Sequence, residues 1–297
     1  MTADDKPDPK PDPKLDARVN PYRDDIAAAS LKGKVKAARF VEGESRRVRI
    51  PHAAMMTKPD RGALQGSELL MGEAFTVYDE RDGWAWGQGS HDGYVGYVAA
   101  KALGPALPAP THWVTAARSL VFPDPKGEYP AARGFSLRSL VAVEGEDGDY
   151  ARLSGGGWMF GKHLAPLHET RGDFLETAKL LLGTPYLWGG RGGLGIDCSG
   201  LIQIALAAAG IRCPRDSDQQ REALGDEVAI PDDPSTLPAG DVFFFPGHVG
   251  FTLGGGRFLH ASSFDMMVSV HPLKDVLRRV RDRHGKDIVR VRRVKGT

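Results

Sequence analysis

The chain has 297 residues, 41% of them hydrophobic and 26% charged, with a formal net charge of +1 at pH 7. That length accommodates two or three ordinary domains, and the balance is that of a soluble globular protein. Near-neutral charge excludes a general attraction to nucleic acid or a membrane surface, and two cysteines cannot build a four-cysteine zinc site.

Residues 1–32 read as a leader. Their first twenty positions alternate Asp, Pro and Lys and cannot bury enough apolar surface to order alone. The leader is therefore expected to be largely disordered, with a short helical turn at Ile26-Ala27-Ala28-Ala29-Ser30-Leu31. It holds no apolar core of signal-peptide length, and no run in the chain approaches the ~18 apolar residues of a membrane helix. The sequence as given is expected to be cytoplasmic and monomeric.

Residues 33–105 alternate in short segments between glycine and charged turns. Examples are Val48-Arg49-Ile50-Pro51, Glu73-Ala74-Phe75-Thr76-Val77-Tyr78 and Tyr94-Val95-Gly96-Tyr97-Val98, with Asp82-Gly83 as a tight hairpin turn. A linker with three prolines, Gly104 to Thr111, follows. Residues 110–168 repeat the style. Ser139-Leu140-Val141-Ala142-Val143-Glu144 and Gly157-Trp158-Met159-Phe160 parallel segments of the first module, an internal repeat suited to duplicated barrels. Both modules resemble bacterial SH3-like domains.

From Asp173 the pattern turns helical. Phe174 to Leu182 predicts a helix capped by Asp173 and stopped at Gly183. A second helix begins at Cys198, and strands are predicted at Val242–Phe245, His248–Leu253, Arg257–His260 and Ile288–Val294. Helices followed by an antiparallel sheet make residues 170–297 an α+β domain.

The chemistry concentrates there. Gly195-Ile196-Asp197-Cys198-Ser199-Gly200 places a thiol at the first turn of an apolar helix. Unpaired N–H groups and the helix dipole favour a thiolate, which is the nucleophile. Cys213 precedes Pro214 and has no comparable helix start. His248, in Pro-Gly-His-Val-Gly-Phe, and His260, in Phe-Leu-His-Ala-Ser, lie on strands joined by the Gly254-Gly255-Gly256 turn, which would set the two rings side by side. One would take the thiol proton, and the other would fix its tautomer. Histidines 52, 91, 112, 163, 168, 271 and 284 show no paired setting. Gly190-Arg191-Gly192-Gly193-Leu194-Gly195 satisfies a dinucleotide fingerprint formally, but no strand–helix–strand alternation follows, so flexible backbone near a cleft is expected. The basic stretch Lys274–Lys295 lacks interleaved aromatics and reads as a solvated helix and strand face. No metal or cofactor is called for.

Six motifs in order resemble the NlpC-type cysteine peptidases, a papain-like group acting on bacterial cell-wall peptides. They are Thr184-Pro185-Tyr186-Leu187-Trp188-Gly189-Gly190, Asp197-Cys198-Ser199-Gly200, Pro214 to Gln220, Gly240-Asp241, Gly247-His248-Val249-Gly250 and His260-Ala261-Ser262. With SH3-like modules ahead of it, the whole chain is similar to γ-D-glutamyl-L-diamino acid endopeptidases of murein-peptide recycling. The implied fold is two small SH3-like β-barrels followed by an α+β papain-like catalytic domain. The resemblance implies Cys198 as nucleophile, His248 as base, His260 as orienting third member and Tyr186 beside the oxyanion. It implies Asp197 and Ser217 at the substrate's free α-amine, Tyr94 closing that pocket, and Ser199 and Arg215 in the binding set. The implied partner is a murein-derived peptide with free N-terminal L-Ala. That subgroup also carries a glutamate before a proline in the first barrel, where this chain reads Met56-Thr57-Lys58-Pro59. Two alternatives stand beside this reading: a wall-binding protein with an idle thiol domain, and a thiol acyltransferase.

Overall fold

The computed structural model describes residues 15–106, 108–285 and 290–294. Positive φ at Asp82 (51°) and Gly83 (79°) turns the strand Ala74–Arg81 back into Trp84–Gly89, as the Asp-Gly pair predicted. The expected strand at Val48–Pro51 is instead the connection between Glu44–Val48 and His52–Met56. Pro51 offers no N–H to a ladder, so the chain bends there. A seven-stranded sheet runs Gln65–Leu70, His52–Met56, Val95–Ala99, Trp84–Gly89, Ala74–Arg81, Glu44–Val48, Leu103–Gly104. It wraps a core that includes Val48, Met55, Leu69, Phe75 and Val98. The second module holds a five-stranded and a three-stranded sheet around Val114, Val121, Phe135 and Met159.

The leader differs from its expectation from residue 15 onward, residues 1–14 lying outside the described ones. Ala27–Ala28 pairs in parallel with Phe40–Val41, and only Ala29–Leu31 forms a 3-10 turn. Ile26, Ala27 and Ala28 are buried, and Leu15, Tyr22 and Phe40 complete a satellite core. Arg23 anchors the segment by stacking on Trp86 and pairing with Asp79 at 2.7 Å. Enough apolar area is present to order the segment once a barrel face is available.

In the third unit, helix α1 (Phe174–Lys179) is capped by Asp173, whose carboxylate accepts the Leu175 and Glu176 N–H groups. It ends before Leu182, with Gly183 turning the chain at φ 76°. Helix α2 (Cys198–Ala208) is buried on nearly every face and packs on a six-stranded antiparallel sheet. That sheet runs Asp226–Val228, Arg290–Arg293, Asp241–Phe245, His248–Gly254, Arg257–Ser262, Met267–Pro272. Short helix α3 (Ser217–Ala223), strand Met267–Pro272 and helix α4 (Leu273–His284) are elements that the sequence pattern had not separated. Among the described residues, no helix is long and apolar enough to cross a membrane.

The three units meet at the Gly190–Gly195 segment, which is a packed hairpin rather than the flexible loop expected. Arg191–Gly192 pairs with Gly195–Ile196. The buried Arg191 guanidinium donates to the Glu73 carboxylate and Glu68 carbonyl of the first module, and to Gln203 of α2. Gly193 N–H reaches Ser136 Oγ in the second module. A Cβ on Gly192 would lie 2.3 Å from His52 Cε1, so contact rather than mobility accounts for that glycine.

Gly72 marks the other tight interface, between the first two modules. It has φ 80°, and a Cβ there would fall 2.1 Å from the Leu140 carbonyl oxygen. Gly72→Ala should therefore lower the urea midpoint well beyond the ~1 kcal/mol of left-handed strain alone. Gly83→Ala, at φ 79° with open space around it, should show that strain and little more. Equal midpoints for the two variants would refute the interface reading.

Candidate active site

Cys198 is the first residue of α2 and Asp197 is its N-cap. The thiol is 8% exposed, and the Val249 and Ser199 backbone N–H groups reach its sulfur. Val249 thereby holds its strand, and the adjacent His248, against the helix start. Burial pushes the thiol up to about 12, with the Asp197 charge adding to it against Arg215 and the two N–H groups. Burial likewise pulls His248 down to about 4, against the attraction of Asp197. The expectation of a resting thiolate is thus corrected to a neutral thiol beside a neutral imidazole. A helix N-terminus acidifies a thiol when it is wet; here it is dry and already occupied by a carboxylate.

His248 and His260 are neighbours, with Nε2 of the first 2.7 Å from Nδ1 of the second. The chain continues, because His260 Nε2 lies 2.8 Å from Nδ1 of His271. Asp265 Oδ2 is buried, accepts no aligned hydrogen bond and sits 2.9 Å from His271 Nε2. That carboxylate orders the tautomers. A proton on His271 Nε2 faces the anion, so Nδ1 must accept from His260 Nε2–H. His260 Nδ1 then accepts from His248 Nε2–H, which leaves His248 Nδ1 as a lone pair. His271 therefore has a paired setting, contrary to the sequence reading. So do His52 (with Ser136 and Glu68), His91 (with Asp92) and His163 (with Ser119). Their partners come from other strands or modules, or from a neighbour that only the fold buries.

Tyr186 packs beside Cys198, and burial above all, with neighbouring Cys198 and Asp197 adding to it, raises its phenol. It stays a hydroxyl donor. Asp197 is occupied: its oxygens accept from Gly189 N–H, Gly200 N–H, Ser199 Oγ and, at 2.6 Å, Arg215 Nη2. Arg215 is buried and also reaches Ser199 Oγ and Ser67 Oγ of the first module. Asp197, Ser199 and Arg215 thus form one closed buried network, and no oxygen of Asp197 is left for a substrate amine.

Tyr94 lies across the module boundary, its hydroxyl donating to Asp216 Oδ2 at 3.2 Å. Arg18 of the leader donates to the same oxygen at 2.8 Å and pairs with Asp218. Burial lifts the Asp216 carboxyl, against the pull of Arg215 and Arg18. Ser217, the first residue of α3, borders this corner half-buried. Lys58 sits in an exposed turn. Asp216, Arg18, His271 and Asp265 were missed from sequence; the acidic Arg-Asp-Ser triplet was the available signal for Asp216 alone. Cys213 is buried and unpaired, and burial raises it too.

Residues 183–281 match the model of the NlpC/P60 family. The chain carries an NlpC/P60 domain. Residues 55–103 match the bacterial dipeptidyl-peptidase Sh3 domain, so one such domain precedes it. Over 139 residues the chain is 33% identical to the γ-D-glutamyl-L-lysine dipeptidyl-peptidase of Bacillus subtilis (strain 168), covering 43% of each protein. Over 121 residues it is 36% identical to dipeptidyl-peptidase 6 of Lysinibacillus sphaericus, covering 40% of this chain and 43% of that one. These matches span under half the length of either relative. A crystal structure of an NlpC/P60 family protein from Bacillus cereus ATCC 10987 aligns over 84% of this chain and 99% of its own with a TM-score of 0.69. At 20% identity that likeness is one of fold.

Removing Arg215 should be costly, because Asp197 would be left buried with an uncompensated charge. Arg215→Met is expected to lose about 3–5 kcal/mol of unfolding free energy in urea titration. Arg215→Lys should recover little, since a point ammonium cannot span both Asp197 oxygens and Ser199. Wild-type stability in Arg215→Met would contradict the closed network.

Proposed function

We propose that this protein is a cysteine peptidase that hydrolyses the γ-D-Glu–diamino acid bond of murein peptides bearing a free N-terminal L-Ala, and releases the L-Ala-γ-D-Glu dipeptide. The observation that carries the reading is that the Val249 N–H, next along the chain from His248, reaches the Cys198 sulfur, while His248 is bonded to His260 and a barrel residue, Tyr94, meets the Asp216 carboxylate. The dipeptidyl-peptidase names of the relatives support the same chemistry. We assign 33–105 and 110–168 to two SH3-like modules and 170–297 to the catalytic unit, with the modules as pocket walls.

As a substrate carbonyl settles against the sulfur, His248 Nδ1 takes the thiol proton and the sulfur attacks the amide carbon. The Cys198 backbone N–H and the Tyr186 hydroxyl face the oxyanion. Collapse breaks the C–N bond, and the proton on His248 Nδ1 passes to the leaving amine. Water, deprotonated by the same nitrogen, then hydrolyses the thioester and frees the dipeptide. The imidazolium formed in passing is stabilised through His260 and His271 by Asp265. Asp265→Asn should lower kcat roughly tenfold to hundredfold with KM little changed. An unchanged kcat would remove His271 and Asp265 from the mechanism.

The substrate's α-ammonium is assigned to Asp216 and the Tyr94 oxygen, with Ser217 at the rim and Asp197 as the scaffold behind. A blocked amine leaves Asp216 without that partner and costs about 1–3 kcal/mol. The active form needs neutral His248 and a charged substrate amine. The acid limb of kcat/KM should therefore fall near pH 4, where His248 gains its proton, rather than near the ordinary histidine range. The alkaline limb should follow the α-amine at about pH 8. Mass spectrometry of L-Ala-γ-D-Glu-diaminopimelate digests, free against N-acetylated, checks both points. Absence of dipeptide from the free peptide, or equal rates for the two, would overturn the assignment.

A further inference from the structure

A cavity of about 390 Å³ opens on the imidazole side of the nucleophile, with His248, His260 and Tyr186 at its inner end. The Asp197–Arg215 network and the Tyr94–Asp216 corner, where the α-ammonium is assigned, do not line this cavity. A leaving amine that collects its proton from His248 must depart on the histidine side, so this cavity faces the leaving residue. Its outer wall is helix α4. Val276, Arg279, Val280 and Arg283 recur at helical spacing and present one face to the cavity. Arg279 stacks on the exposed Phe264 ring at 4.1 Å, which fixes its guanidinium at the mouth. The neighbouring Arg278 is paired with Asp275 at 3.2 Å. Arg279 and Arg283 have no carboxylate partner among the described residues. Two uncompensated guanidinium groups on the wall of a groove that ends at the catalytic base form a site for an anion carried by the substrate itself.

We propose that this cavity is the leaving-group subsite, and that Arg279 and Arg283 make it selective for a leaving residue whose side chain ends in a carboxylate, the diaminopimelate type over the lysine type. The inference rests on the peptidase reading above and deepens it. A lysine side chain would bring a lone ammonium toward two like charges, whereas the second carboxylate of a diaminopimelate residue meets a planar fork able to bind it through two hydrogen bonds. The site lies at the surface, so its contribution is screened by salt.

Three tripeptides test it: L-Ala-γ-D-Glu-meso-diaminopimelate, the same peptide with its side-chain carboxylate amidated, and L-Ala-γ-D-Glu-L-lysine. Wild-type kcat/KM should favour the first over both others by about tenfold at low salt. The ratio should shrink in 0.5 M NaCl and approach unity in the Arg279→Gln/Arg283→Gln double variant. Arg283→Glu, on an exposed turn of the helix, should tilt it toward the lysine peptide. Equal wild-type rates, or a preference that survives in the double variant, would overturn the proposal while leaving the peptidase reading intact. If no peptide is cleaved, calorimetric binding to Cys198→Ala decides the question separately. Tighter binding of the diaminopimelate peptide by about tenfold upholds the subsite while the hydrolytic reading fails. Equal or absent binding overturns it.

Discussion

The buried Arg215–Asp197 pair is the constraint on which the catalytic geometry rests. One guanidinium joins the N-cap of the nucleophile helix, the hydroxyl after the nucleophile and Ser67 of the first module. Its charge is sustained by Asp197 despite complete burial. A pair of this kind contributes little net stability relative to an apolar isostere, but removing either half is costly. What it supplies here is position. Helix α2 cannot rotate or slide without breaking several charge-assisted bonds at once, so the sulfur stays where the Val249 N–H meets it. Arg191 does the same work one hairpin away, linking Glu73 of the barrel to Gln203 of the same helix.

With the helix fixed that way, the environment of the thiol becomes a consequence. The same carboxylate that caps α2 opposes a thiolate, and the packing that seals the helix start removes the water that would solvate one. Both effects favour the neutral thiol, as burial favours the neutral His248 imidazole. The three imidazoles meet edge to face and run from His248 to Asp265. Their hand-over of tautomers leaves His248 Nδ1 as the nitrogen without a histidine partner. Charge is thus divided between a carboxylate corner at Asp216 and an arginine-bearing groove that ends at His248 and His260.

Much of this was legible in the residues. The Asp82-Gly83 hairpin, the Asp173 cap, the cysteine at the head of α2 and the strands carrying His248 and His260 all follow local rules of spacing and turn chemistry. Those rules act within a few residues, and the structure reproduces them. The errors share one origin. The 15–31 segment looked too polar to order because the barrel residues that receive Arg23, Trp86 and Asp79, are not its neighbours in the chain. The Gly190–Gly195 run looked flexible because glycine was taken for freedom, whereas His52, Ser136 and Leu187 press on it. His271 looked solitary because its partners, His260 and Asp265, come to it only through strand pairing.

The sequence alone determined where the candidate groups lie: a cysteine at a helix start, two histidines on adjacent strands, and a modular β architecture ahead of them. Periodicity and capping are properties of contiguous residues, so no fold was needed to read them. Only the tertiary structure decided the state of those atoms. Whether a thiol is a thiolate, whether an aspartate is free to bind, and which way an arginine on α4 points all depend on what is brought close across the chain. Dielectric and charge act through space, and space is what folding supplies.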